Sequence, residues 1–231
     1  MGMKSFGAVL LILLAGIALG EPPASDSLTP FTVELRVDDA KVIAGEAFPV
    51  GIFCPDTTGQ LGGFNLLIEY DFAAIVFDSA TFGKSTLGEW EYLNVNSGFK
   101  SEEDLSDNRA WIRLVAIADS HNDPRQPSAR SLVGPGELAR LYLYAADGTA
   151  GDSTALRFFW RACGDNTFSD LSGNKLMIGA EVDSTAGDSL SYKGPAVDCL
   201  GSKRNPPLQL VRFKNVWLRP QAPKPLPTSD D

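Results

Sequence analysis

An all-β sandwich of the jelly-roll or Greek-key type, with about nine strands, is the fold this sequence predicts. Three observations lead there. Apolar residues recur at every second position from one end of the chain to the other. Glycine-rich turn signals such as Ala44-Gly45-Glu46, Gly134-Pro135-Gly136 and Asp147-Gly148 separate these runs. No stretch keeps a helical period over three turns.

The N-terminus precedes the fold. Lys4 is followed by an almost wholly apolar run, Phe6 to Leu19, with Ala18 and Gly20 at small-residue positions. That is the layout of a secretory signal peptide over residues 1–20. The apolar run of about 14 residues is shorter than the roughly 20 a spanning helix needs. Residues 21–30 read as a linker, and the sandwich is expected over 31–218.

The strands follow in order. "TVELRVD" turns Val33, Leu35 and Val37 inward, and "FPVGIFC" does so with Phe48, Val50, Ile52 and Cys54. In "LGGFNLLIEYDFAAIVFDSATFG", Phe64, Leu66, Ile68 and Tyr70 share the inner face. The run breaks at Tyr70-Asp71 and then resumes. "GEWEYLNV" predicts Trp90 and Tyr92 in the core, with Glu89 and Glu91 in water. "SEEDLSDNRA" is at most a surface turn. "RAWIRLVAIAD" is apolar on both faces, which predicts a central or covered strand. "ELARLYLYAA" sets Ala139, Leu141 and Leu143 against Arg140, Tyr142 and Tyr144. "TALRFFWR", "NKLMIGAEV" and "LQLVRFKNVWL" complete the set. The prolines of "RPQAPKPLPTSDD" predict a solvated, extended tail over 219–231.

The net charge of -9 disfavours nucleic acid as a partner. Of three cysteines, Cys54 lies on an apolar strand face and reads as a buried thiol. Cys163 and Cys199 lie in loop-like sequence, and an exported chain permits a disulfide. We expect them to pair, closing a loop of about 36 residues and contributing about 3–4 kcal/mol. No CxxC exists, so zinc is disfavoured.

No catalytic constellation emerges. His121 is the only histidine and lies in a polar loop, and G-x-S-x-G is absent. Glu69, Glu89 and Glu91 are expected to be ordinary surface charges rather than a glycosidase pair. Asp119, Asn122 and Asp123, and likewise Asp165, Asn166 and Asp170, offer hard oxygen donors in loops. Neither set has EF-hand spacing, and Asp and Asn also favour turns. No cofactor is therefore expected, with calcium the open alternative. Trp111, Tyr142 and Tyr144 are the candidate binding residues, forming one patch if their strands are neighbours.

The succession "VDDAKVIAGEAFPVGIF", "LGGFNLLIEYDFAAIVFDSATFG", "GELARLYLYAA" and "STALRFFW" resembles that of bacterial cohesin-type modules. Gly45, Tyr70, Asp71, Phe77, Gly83 and Gly136 stand at the matching places, and the likeness spans about Phe31 to Leu218. The resemblance implies a nine-stranded jelly roll that binds rather than catalyses. Cohesins dock calcium-loaded dockerin modules, and related sandwiches bind carbohydrate. The Cys163/Cys199 insertion departs from the typical pattern, and so does the lack of repeated modules. No partner-contacting residue is carried over. The expectation is a secreted, extracellular or periplasmic, non-enzymatic module. It would dock a protein partner of the dockerin-bearing kind. Polysaccharide is the first alternative and a structural envelope role the second.

Overall fold

The computed structural model describes residues 31–37, 42–56, 61–87, 90–99, 108–119, 132, 134–162, 164–170, 176–184 and 208–224. For 85–86, 176–184 and 208–210 it describes the backbone alone. The signal segment, the linker, His121, Asn122, Asp123, Glu89, Cys163 and Cys199 lie outside these residues. The expected disulfide lies outside them with its two cysteines.

Eleven strands form among the described residues: β1 Phe31–Val37, β2 Ala47–Cys54, β3 Leu61–Asp71, β4 Ile75–Phe82, β5 Tyr92–Phe99, β6 Arg109–Ile117, β7 Gly136–Ala145, β8 Thr154–Phe158, β9 Thr167–Asp170, β10 Leu176–Ser184 and β11 Leu208–Leu218. One helical turn, α1 Lys84–Leu87, joins β4 to β5. The strands run in the order β4-β7-β2-β1-β11-β10-β9-β3-β6-β5, and β8 bridges β11 and β3.

This single sheet folds back on itself. Phe64 of β3 meets Phe82 of β4 with ring centroids 6.4 Å apart, although the two strands are distant in the strand order. Phe31 of β1 packs edge-on against Phe168 of β9 at 5.1 Å. Two layers result, β4-β7-β2-β1-β11 and β5-β6-β3 with β8 and β9 beside β3, and β10 joins them between β11 and β9. The inner faces are those the period-two pattern predicts. Val33, Val50, Ile52, Leu66, Ile68, Ile112, Leu114, Leu141 and Leu143 are wholly buried. Cutting any of these leucines or isoleucines to alanine would cost about 2–5 kcal/mol.

Gly45 has a local reason. Its φ of 81° is left-handed, and a Cβ there would meet Asp147 Oδ1 at 2.6 Å. Its N–H donates to Ala145 O at 2.9 Å, fixing the entry to β2.

Two expectations need correction. Trp90 is buried, but Tyr92 is 43% exposed. The alternation does not run through both. Trp90 N–H bonds back to Leu87 O at 3.0 Å, closing the α1 turn, and the chain bends at Glu91 before β5 begins. Inner and outer positions therefore exchange between Trp90 and Tyr92. The tail also stays engaged beyond Leu218. Pro220 is buried, and its carbonyl accepts from Gly151 N–H at 2.8 Å. Gln221 N–H and C=O bond to Val42 and Ala44. A proline in this position lacks only its own N–H, so its neighbours still pair.

Candidate functional site

The outer face of the β5-β6-β3 layer is where side chains from distant segments converge. β6 pairs antiparallel with β3 without a register shift, setting Trp111 opposite Glu69 and Arg113 opposite Leu67. On its other side β6 pairs with β5, setting Trp111 opposite Gly98.

Trp111 lies flat because Gly98 has no side chain: a Cβ there would stand 2.8 Å from Trp111 Cζ2. The indole Nε1–H donates to Phe99 O at 3.0 Å. The Arg161 guanidinium lies 5.5 Å from the ring centroid, within cation–π range. Trp111 is therefore half-buried, held between backbone and a cation.

The segment after β8 closes over β3. Asn166, at φ 52°, accepts from Leu67 N–H at 2.8 Å and donates from Nδ2 to Phe159 O at 2.7 Å. Its amide thus fills a gap in the ladder where β8 has left β3 and β9 has not begun. Asp165 is buried. Its Oδ2 accepts from Arg161 N–H at 2.8 Å and Ala162 N–H at 2.7 Å, and its Oδ1 takes Arg113 Nη2 at 2.7 Å. Arg113 Nη1 also donates to Asn65 Oδ1 at 3.1 Å, while Asn65 Nδ2 donates to Gly164 O at 2.6 Å. Beside this network Glu69 accepts from Arg157 and lies 3.9 Å from Arg109.

The alternation puts Glu69 in open solvent, but these arginines bury it to 8% exposure. Asp165 and Asn166, weighed as calcium ligands, spend their oxygens on protein donors. No group of three or more histidine, cysteine, aspartate or glutamate side chains that could hold a metal ion occurs among the described residues.

Tyr142 and Tyr144 sit elsewhere. β7 lies between β4 and β2 in the other layer, so these tyrosines share no patch with Trp111. They are 38% and 37% exposed on the outer face, as expected. Pro49 and Ala47 stand opposite them on β2, and Ser79 and Val76 on β4. Arg140, on the same face, is held by both oxygens of Glu137, at 3.0 and 2.5 Å.

Cys54 is wholly buried on β2, where burial pushes its thiol up to about 11. Its contact with Asp56 O, at 3.5 Å, opposes that shift less strongly. Burial also raises Tyr70, against a smaller lowering by the Phe77 backbone. Near Tyr70 a cavity of about 370 Å³ opens between the β4 and β5 edges, lined by Phe72, Ile75, Phe77 and Phe99 among others.

No protein-family model and no curated protein sequence matches the chain. Solved structures do. CaCohA2 of Clostridium acetobutylicum, in a complex with a CaDoc0917 variant, matches with a TM-score of 0.50 and 13% identity, over 81% of this chain and 99% of that one. The seventh ScaB type I cohesin from Pseudobacteroides cellulosolvens matches at 0.49 and 16%, over 88% and 99%. A non-cellulosomal cohesin from the archaeon Archaeoglobus fulgidus matches at 0.45 and 13%, over 85% and 93%. At these identities the likeness is one of fold. This chain is an all-β module with the cohesin-type jelly-roll fold. No helix among the described residues is long and apolar enough to cross a membrane.

Proposed function

We propose that this chain is a non-catalytic docking module that works outside the cell, with a dockerin-type protein as its partner. The observation that carries the reading is the outer face of β6 together with the segment after β8 that closes over β3, where Trp111 and Arg161 are stacked and Arg113 and Asp165 are locked together. Tryptophan and arginine are the residue types that dominate protein interfaces, and a pre-set surface loses little entropy on binding. The cohesin-type fold supports the same reading, since its structural neighbour CaCohA2 is seen in complex with a CaDoc0917 variant.

Titration calorimetry of the full chain against a panel of dockerin modules, with and without calcium, tests this. Binding to at least one module is expected, weakened about tenfold or more by Trp111→Ala. No binding across the panel would reject it.

A second reading rests on Tyr142 and Tyr144, two neighbouring exposed rings on the outer face of β7. It predicts retention on insoluble polysaccharide that the double alanine variant loses.

A further inference from the structure

The two free edges of the sheet are built differently. β4 carries a register shift between Phe77 and Ser79, with the exposed Asp78 at that point. A bulge and a charge are the usual protections of an edge against pairing with another chain. β5 has neither. Its eight residues, YLNVNSGF, contain no charge and no proline. Its register with β6 is unbroken over all eight. Among the described residues it pairs on one side only, so alternate N–H and C=O groups face outward.

The side chains of β5 carry the same mark of an unfinished layer. Leu93, Val95, Ser97 and Phe99 stand opposite the buried Ala116, Leu114, Ile112 and Ala110, which places them on the core side. Yet Leu93 is 41% exposed and Phe99 56%. Phe99 packs edge-on against Phe72 at 5.1 Å and forms part of the cavity that opens between the two edges.

We propose that β5 is the joint of a homodimer, in which two copies pair their β5 edges antiparallel about a twofold axis at Asn96. Directly opposed residues of an antiparallel pair share a face, so the axis must fall on a residue rather than between two. Centring it on Asn96 sets Leu93 of each copy opposite Phe99 of the other. Val95 then opposes Ser97, Asn94 opposes Gly98, and the two Asn96 side chains face each other. Each Leu93 arrives at the cavity mouth beside Phe99, where exposed apolar surface is removed from water. Charge favours this edge as well. Two chains of net charge -9 repel, and β5 brings no like charges together where they meet. The joint is independent of the docking reading, since it uses the strand's edge rather than the outer face.

Sedimentation velocity of the full chain over about 1 to 100 µM should show a reversible monomer–dimer equilibrium. Asn96 is exposed, so its substitution leaves the core untouched. Asn96→Lys and Asn96→Glu each place like charges face to face, and each should raise the dimer dissociation constant about tenfold or more. An equimolar mixture of the two should regain the dimer. Leu93→Thr should weaken it without adding charge, and it replaces the charged variants if circular dichroism shows either unfolded. A wild-type chain that stays monomeric throughout would overturn the proposal. So would charged variants that dimerise like wild type, or a mixture that fails to recover.

Discussion

The outer faces of the two layers solve opposite problems with the same residue types. On the β6–β3 face an aromatic ring is immobilised: Trp111 has backbone beneath it, a guanidinium above it and its N–H bonded to Phe99 O. On the β7–β2 face, Tyr142 and Tyr144 stand more than a third exposed. The arginines differ in the same sense. Arg113 ties its strand to Asp165, a residue from a remote segment, whereas Arg140 is held by Glu137 three positions away on its own strand. One face is therefore a tertiary construction and the other a local one. Rigidity costs ordering entropy during folding, and it returns as a smaller loss on binding.

The contrast is broken most severely at Asp165. Removing its carboxylate leaves two backbone N–H groups and Arg113 Nη2 without their acceptor. We expect Asp165→Ala to lower unfolding stability by about 3 kcal/mol, read from the urea midpoint. Cutting Glu137 to alanine on the other face should cost about 1 kcal/mol at most, since that pair is local and partly exposed. Equal losses at the two sites would refute the distinction between tertiary and local faces.

Next comes Gly98→Ala. The added methyl group must displace the Trp111 ring, at an expected cost of about 1–2 kcal/mol. The Trp111 indole N–H resonance should move as its bond to Phe99 O is lost. An unchanged resonance would show that the ring is not pinned by the missing side chain.

These two sites mark where the sequence is legible and where it is not. Period-two alternation places Val33, Leu35, Ile68, Ile112 and Leu141 inward, and Tyr142 and Tyr144 outward, because it depends only on the pleat. β6, apolar on both faces, is a central strand as expected, paired with β3 on one side and β5 on the other. What braces its outer face and closes over β3 is not readable. Asn166 completes the ladder at Leu67, a residue 99 positions away, and nothing local announces such a pairing. Glu69 looks like a solvent-facing charge because Arg157, 88 positions away, is not visible from its own strand. Trp111 groups with Tyr142 and Tyr144 by residue type, but strand order, which separates them, is a property of the whole sheet. Tyr92 misleads for a smaller reason: a bend at Glu91 resets the phase.

Alkaline pH probes the interior beneath the β7–β2 face. Cys54 titrates at about 11 when folded, above the ordinary thiol value of 9.0. The unfolded chain therefore releases its proton first. The associated stability is complete below about pH 9 and is lost as pH rises through 11. Tyr70, also raised, adds a loss of the same sign at higher pH. Cys54→Ala should flatten the stability profile between pH 9 and 11, by about 2 kcal/mol at the upper end, offset at neutral pH by the small cavity it leaves. A profile as steep as wild type would place the thiol in contact with water in the folded chain.

The smallest effect on stability is expected where the contrast is most useful functionally. Replacing Tyr142 and Tyr144 by alanine removes rings that already face water, so the unfolding midpoint should move by no more than about 0.5 kcal/mol per site. The same substitution at Trp111 takes away a ring filling the space over Gly98 and one bonded N–H, at an expected cost of about 2 kcal/mol. Binding assays on these variants then separate the faces. Loss of a protein partner in Trp111→Ala alone assigns docking to the rigid face. Loss of polysaccharide retention in the tyrosine variant alone assigns that activity to the open one. If the tyrosine pair destabilises the fold as much as Trp111→Ala does, those rings contribute to packing, and the β7–β2 face is not the free aromatic surface described above.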